Sequence, residues 1–232
     1  MVLKLFFVSL FFFGCTNFKR DNPADPGGGN YVAPPSSIPA EVSYGALTYQ
    51  GQTYKTVKIG NQTWIAENLN YDVSGSVCYN NSESNCTTYG RLYNWATAMA
   101  LDPSCNSRTC SGQVQSKHRG ICPQGWHIPS DAEWTALTNF VGSNAGTKLK
   151  SKSGWSSGNG TDDFGFSALP GGIGGSDGSF YYVGYEGFWW SASERDATGA
   201  DYRYMSYILN NVESNQPGSH KSNLLSVRCI KD

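Results

Sequence analysis

Cysteine placement constrains this chain more than any other feature. Of the seven cysteines, Cys15 closes an apolar leader, and Cys78, Cys86, Cys105, Cys110, Cys122 and Cys229 form an even set. An even set in an exported chain reads as disulfides, because the compartment is oxidising. None falls in a C-x-x-C pair, and His118, His127 and His220 are scattered, so no zinc site is expected. The export signal is residues 1–14: Lys4 precedes the run Leu5 to Phe13, which is too short to span a bilayer and fits a signal peptide. Gly14 directly before Cys15 resembles the bacterial lipobox, with Phe12 where leucine is usual. The expectation is cleavage before Cys15 and its acylation; more than one acyl chain would make that attachment stable.

Residues 15–44 then read as a tether, punctuated by Pro and Gly and lacking apolar periodicity. As a flexible coil it would span on the order of 25–30 Å. Residues 45–232 remain, enough for one domain with a sizeable core. The net charge of −1, without a basic run, argues against nucleic acid as a partner. Charged residues make up only 15% of the chain, while Tyr (14) and Trp (7) are abundant, so the domain reads as a polar uncharged surface around an aromatic core.

Within the domain, residues 53–59 and 62–68 read as strands of a hairpin through Gly60-Asn61. Residues 93–101 read as a short helix stopped by Asp102-Pro103. Ser130 with Glu133 three residues on is a capping box, and Trp134, Leu137 and Val141 fall on one face of the helix that follows. Residues 164–169, 181–183, 187–193, 202–209 and 224–230 read as further strands. The fold class is α+β: two helices plus a mainly antiparallel sheet with long loops.

Seven segments in order resemble the Fibrobacter succinogenes major paralogous domain family. They are Gly51 to Gly60, Trp64 to Tyr71, Tyr89 to Ala98, Cys122-Pro-Gln-Gly-Trp-His-Ile-Pro-Ser130, Gly165 to Gly172, Gly187-Phe-Trp-Trp-Ser191 and Ser226 to Asp232. The resemblance covers residues 45–232 and implies a C-type-lectin-like fold. Two roles of lectin-fold proteins do not carry over. The calcium lectins' Glu-Pro-Asn or Gln-Pro-Asp is reduced to Gln216-Pro217-Gly218, without a Trp-Asn-Asp. The formylglycine-generating enzymes' reactive cysteine pair is reduced to Cys229, with Cys122 as its implied disulfide partner. Six cysteines allow fifteen pairings. Cys78/Cys86 and Cys105/Cys110 each sit in one polar loop, where short closures are easy, which leaves Cys122 with Cys229.

The site expectations follow from exposure. Phe188, Trp189, Trp190 and Trp126 lie on strands or at the start of a helix and read as core. Trp155, in a polar glycine-rich loop, is the candidate sugar stacker. Asn159, Asp162 and Asp163 beside it are candidate ligand contacts. They are also the one oxygen set that suits calcium, although their spacing is not that of an EF-hand. No other cofactor and no metal site is expected. Pro170 to Gly178 reads as a turn, and His118-Arg119 as a solvated loop. Asp162, Asp163, Glu186, Glu194 and Asp196 are available carboxylates, but no motif singles out the pair a glycosidase needs, so no catalytic residue is expected. The function expected is a non-enzymatic, surface-anchored lipoprotein whose domain binds polysaccharide or another envelope component. The alternatives are a polysaccharide-acting enzyme and a purely architectural surface protein. Its expected location is the cell envelope, lipid-anchored in the outer membrane and facing the periplasm or the cell surface.

Overall fold

The computed structural model describes residues 42–214 and 219–232. The leader, Cys15, almost all of the tether and Gln216-Pro217-Gly218 lie outside the described residues. The order begins β1 (Ser43–Tyr49), β2 (Gln52–Ile59), β3 (Gln62–Ile65), β4 (Ser76–Val77), α1 (Glu83–Tyr89), β5 (Leu92–Tyr93), α2 (Trp95–Ala98) and β6 (Trp126–His127). It continues α3 (Asp131–Val141), α4 (Ala145–Leu149), β7 (Ile173–Gly174), β8 (Phe180–Tyr181), β9 (Glu186–Glu194), β10 (Gly199–Ser206), β11 (Ser219–His220) and β12 (Ile230–Lys231). All strand pairs in these ladders are antiparallel, so the α+β class holds.

Two sheets carry the fold. One runs β1-β2-β3-β12-β6, and the other runs β11-β10-β9. The β2–β3 hairpin turns at Gly60, whose φ is +59 and whose Cα lies against the Phe140 ring, so a side chain there meets both strain and a clash. β1 adds a strand ahead of this hairpin, beginning at Ser43 inside the segment read as tether. The β9–β10 pair divides two cores. Phe188, Trp190, Ala192 and Tyr202 pack into one with Trp95 and Tyr93. Trp189 and Met205 face the other with Trp134, Leu137 and Trp64. This is strand alternation with both faces buried. Phe188, Trp189, Trp190 and Trp126 are accordingly buried, as their positions predict.

The capping box forms: the Ser130 hydroxyl accepts from the Glu133 N–H, and the Glu133 carboxylate accepts from the Ser130 N–H at 2.8 Å. Three disulfides close, Cys78–Cys86, Cys105–Cys110 and Cys122–Cys229, the pairs that spacing indicates.

Several boundaries differ from the sequence reading. The described residues hold four α-helices instead of two. α1 lies in a segment read as loop, its Cys86 tied to Cys78, and α4 is only five residues long. Neither is long enough to display a helical period. The helix read over 93–101 shrinks to Trp95–Ala98, because Asn94 caps it through the Thr97 N–H and Tyr93 belongs to β5. Residues 164–169 form no ladder beyond one bridge from Ala168 to Lys150. Ser167 stands at φ +52, and the carbonyls of Phe166 and Ser167 accept from the buried Arg228 guanidinium. The last strand is a run of single bridges at Leu224, Leu225 and Ser226 before β12.

Candidate functional site

The residues singled out from sequence do not make a binding site. Trp155 is buried, not an exposed stacker. Its indole N–H donates to Ser151 Oγ and to the Ala168 carbonyl, both at 3.1 Å, and Lys150 Nζ lies 5.2 Å from its ring centroid. The surrounding glycines and serines suggest a loose loop, but that loop folds back onto the α3–α4 core. Asn159 is used at 3.1 Å by the Trp155 N–H. Asp162 turns inward onto Ser167, accepting from its N–H at 2.7 Å and its hydroxyl at 2.6 Å. Asp163 points to solvent. The three oxygen donors therefore do not converge on one ion. Among the described residues the one cluster of metal-type ligands is Cys78, Glu83 and Cys86, and its two sulfurs are joined in a disulfide.

Of the other carboxylates, Glu194 and Asp196 are also spoken for. Glu194 is an ion-pair partner of Lys221 inside the protein. Asp196 accepts from the N–H groups of Thr198 and Gly199 at 2.8 Å each, which fixes a turn. His118 is not simply solvated: its Nε2 donates to the Met99 carbonyl at 2.7 Å. That bond anchors the loop before β6.

A different group of residues does converge. In the β9–β10 register Tyr202 faces Trp190, Tyr204 faces Phe188, and Ser206 faces Glu186. By alternation these six share one sheet face. Trp190 is fully covered, and its indole N–H donates to the Tyr93 carbonyl at 2.7 Å. Towards the Glu186 end the cover thins, leaving a cavity of about 340 Å³ lined by Ile173, Tyr182, Glu186, Phe188, Tyr202 and Tyr204. Phe188 and Tyr204 are stacked at 5.8 Å and 20°, and Tyr202 stands 6.1 and 6.2 Å from them.

Tyr182 forms the cavity's outer wall, 54% exposed, with its ring 6.4 Å from Phe188. Its φ is +68, a left-handed conformation that strains a bulky residue by about 1–3 kcal/mol. The turn around it holds it there. The N–H groups of Tyr185 and Glu186 both donate to the Tyr182 carbonyl, and the Gly172 N–H donates to the Glu186 carbonyl at 2.8 Å. These turn hydrogen bonds account for the backbone conformation that sets the Tyr182 ring at the cavity wall.

Glu186 is the one charged side chain lining this cavity. Among the described residues no ion pair includes it. Burial pushes its carboxyl above the usual range, against a smaller opposing pull from the Ser206 hydroxyl. Burial likewise raises the Tyr204 phenol, and the charges of Glu213 and Glu186 add to that shift. The site is thus aromatic, concave and electronegative.

A second, larger cavity of about 590 Å³ lies beside β1 and the Cys122 segment, with Tyr49, Tyr71, Arg119 and Gln124 in its lining. Its two rings meet edge-on at 5.3 Å, and the Tyr49 hydroxyl is already donated to the Ile121 carbonyl. It offers ring edges and one exposed arginine, a less specific surface than the β9–β10 cavity.

Sequence reasoning passed over the tyrosine site because it searched for exposed tryptophan. The signal was present in the alternation of Tyr202 and Tyr204 opposite Phe188 and Trp190. What that pattern cannot reveal is where the cover over a strand face ends.

The fold and this cavity define a disulfide-stapled α+β domain with an aromatic pocket on one end of a sheet. Residues 57–231 match the model of the Fibrobacter succinogenes major domain, and the chain belongs to that family. No curated protein and no solved structure matches it.

Proposed function

We propose that this protein is a lipoprotein of the cell envelope, held to a membrane through Cys15, whose domain is a non-catalytic binding module for polysaccharide. The observation that carries the binding reading is the β9–β10 cavity. Sugar rings present apolar C–H faces that pack on aromatic rings, and their hydroxyls need one or two polar partners. Tyr182, Phe188, Tyr202 and Tyr204 supply the first, and Glu186 with the tyrosine hydroxyl of Tyr204 supplies the second. At about 340 Å³ the cavity lies at the small end of ligand pockets, suited to a short stretch of chain. Hydrolysis of a glycosidic bond needs two carboxylates facing each other across the bond, and Glu186 alone lines this cavity.

The anchoring half rests on the leader. Metabolic labelling with an alkyne fatty acid should tag the wild type, while Cys15→Ala should stay unlabelled and be released. For the binding half, a glycan array with the full-length protein in detergent micelles should give polysaccharide hits. Tyr182→Ala and Tyr204→Ala should each weaken them by about tenfold, the loss of one aromatic contact of about 1.4 kcal/mol. Hits unaffected by both substitutions would refute this site.

A further inference from the structure

We propose that the β9–β10 cavity selects a saccharide bearing a free ammonium group, with Glu186 meeting the cation and the rings of Tyr182, Phe188 and Tyr204 flanking it. This rests on the polysaccharide-binding reading and narrows it to an amino-sugar polymer of the glucosamine type.

Three independent features of the cavity carry the same sign. Glu186 is its one charged lining residue, and no Lys or Arg lines it. Glu213 stands behind Tyr204, its backbone bridged to that residue by two hydrogen bonds of 3.0 and 2.9 Å. The aromatic faces add their own negative quadrupoles, which attract a cation within about 6 Å of a ring centroid. A uronic acid placed here would meet the like charge of Glu186 and find no Lys or Arg, whereas an ammonium group would meet a carboxylate and ring faces together.

The carboxylate has the Ser206 hydroxyl beside it but, among the described residues, no counter-charge. Asp162, Glu194 and Asp196 each hold a turn or an ion pair. Glu186 does neither among the described residues, although burial already disfavours its charged form. A ligand cation would supply the missing counter-charge. The ring stacking explains why the cation should be part of a sugar: the cavity is wider than an ammonium group alone, and its remaining lining, Ile173 and Tyr202, is apolar or aromatic.

The test is calorimetric titration of the full-length protein in detergent micelles near pH 6 with four hexasaccharides: glucosamine, N-acetylglucosamine, glucose in cellohexaose, and galacturonate. The glucosamine form should bind about tenfold tighter than the N-acetylated form and cellohexaose, as a partly buried charge pair implies. Galacturonate should bind weakest. E186Q should erase the advantage, bringing its affinities for the glucosamine and N-acetylglucosamine forms within about twofold of each other, and Tyr182→Ala should weaken all ligands that bind. Equal wild-type affinity for the glucosamine and N-acetylglucosamine forms, an advantage that survives in E186Q, or a preference for galacturonate would each overturn the inference while leaving the binding reading intact. The wild-type comparison needs no variant to fold. If none of the four binds, the inference fails, and the glycan array decides the polysaccharide reading separately.

Discussion

Removing the Glu194 carboxylate should cost this domain about 4 kcal/mol, although Glu194 touches no cavity wall of the β9–β10 site. Glu194 ends β9 and pairs with Lys221, the two side chains being 2% and 0% exposed. The carboxylate also accepts from the Cys110 N–H, at 2.8 and 3.0 Å to its two oxygens. Lys221 Nζ donates in turn to the carbonyls of Arg108 and Ala197, both at 3.1 Å, and lies 4.8 Å from the Trp95 ring centroid. Glu194→Ala therefore strands a buried ammonium with two carbonyls and orphans an amide. Breaking one side of such a pair is worth about 3–5 kcal/mol, and the lost amide bond adds about 1 kcal/mol towards the upper end. In a domain of this size about 4 kcal/mol lowers Tm by roughly 8–16 °C. Thermal melts followed by circular dichroism without reductant would measure it. The double variant Glu194→Ala/Lys221→Met should recover at least half of the loss, because it removes the stranded charge. A Glu194→Ala protein melting within about 2 °C of wild type, or a double variant no more stable than the single one, would refute the reasoning.

Trp155→Ala and Trp190→Ala should each destabilise by about 3–5 kcal/mol in the same melts, as buried aromatics do, and Trp155→Ala should leave saccharide affinity unchanged below its Tm. His127 lies between Glu133 and Asp232, 2.8 and 2.7 Å away. Burial pulls its pKa down, but the bonds to the two carboxylates outweigh that and hold it above 6.5. The stability it contributes is thus fully present below about pH 6.5 and is lost as pH rises through the raised folded value. Burial acts to raise the Glu133 pKa, but the bonds from His127 and Ser130 outweigh it and hold that carboxyl below 4.5, so its contribution is lost as pH falls through the lowered value. Tm should therefore peak between about pH 4.5 and 6.5, and His127→Gln should flatten the alkaline side. Replacing Cys122 and Cys229 by serine opens a span of 107 residues and should cost about 4–5 kcal/mol in the chain-entropy model, against about 2–2.5 kcal/mol for either short bridge. Urea denaturation of the three double-serine variants would rank them, and equal losses would contradict the loop-length argument.

The parts of this molecule legible in its sequence are those decided within a few residues. Ser130 and Glu133 specify the start of α3 because a capping box spans three positions. Gly60-Asn61 marks the β2–β3 turn because the backbone there needs a positive φ. Cys78/Cys86 and Cys105/Cys110 pair within their own loops, and once they do, Cys122 and Cys229 are left for each other. What the tertiary structure alone decided is which side chains keep water. Trp155 sits in a sequence that reads as solvent-exposed loop, yet it is buried because Ser151 and Ala168 supply its indole with hydrogen-bond acceptors and Lys150 covers its ring. Tyr202 and Tyr204 occupy equivalent positions two residues apart on β10, yet Tyr202 is almost covered and Tyr204 half-open. Nothing local separates them. The difference arises where β7 and the Tyr182 turn, distant in sequence from β10, stop short of closing over the sheet. Burial depends on surface contributed by distant segments, and a periodic pattern records only which face a residue is on.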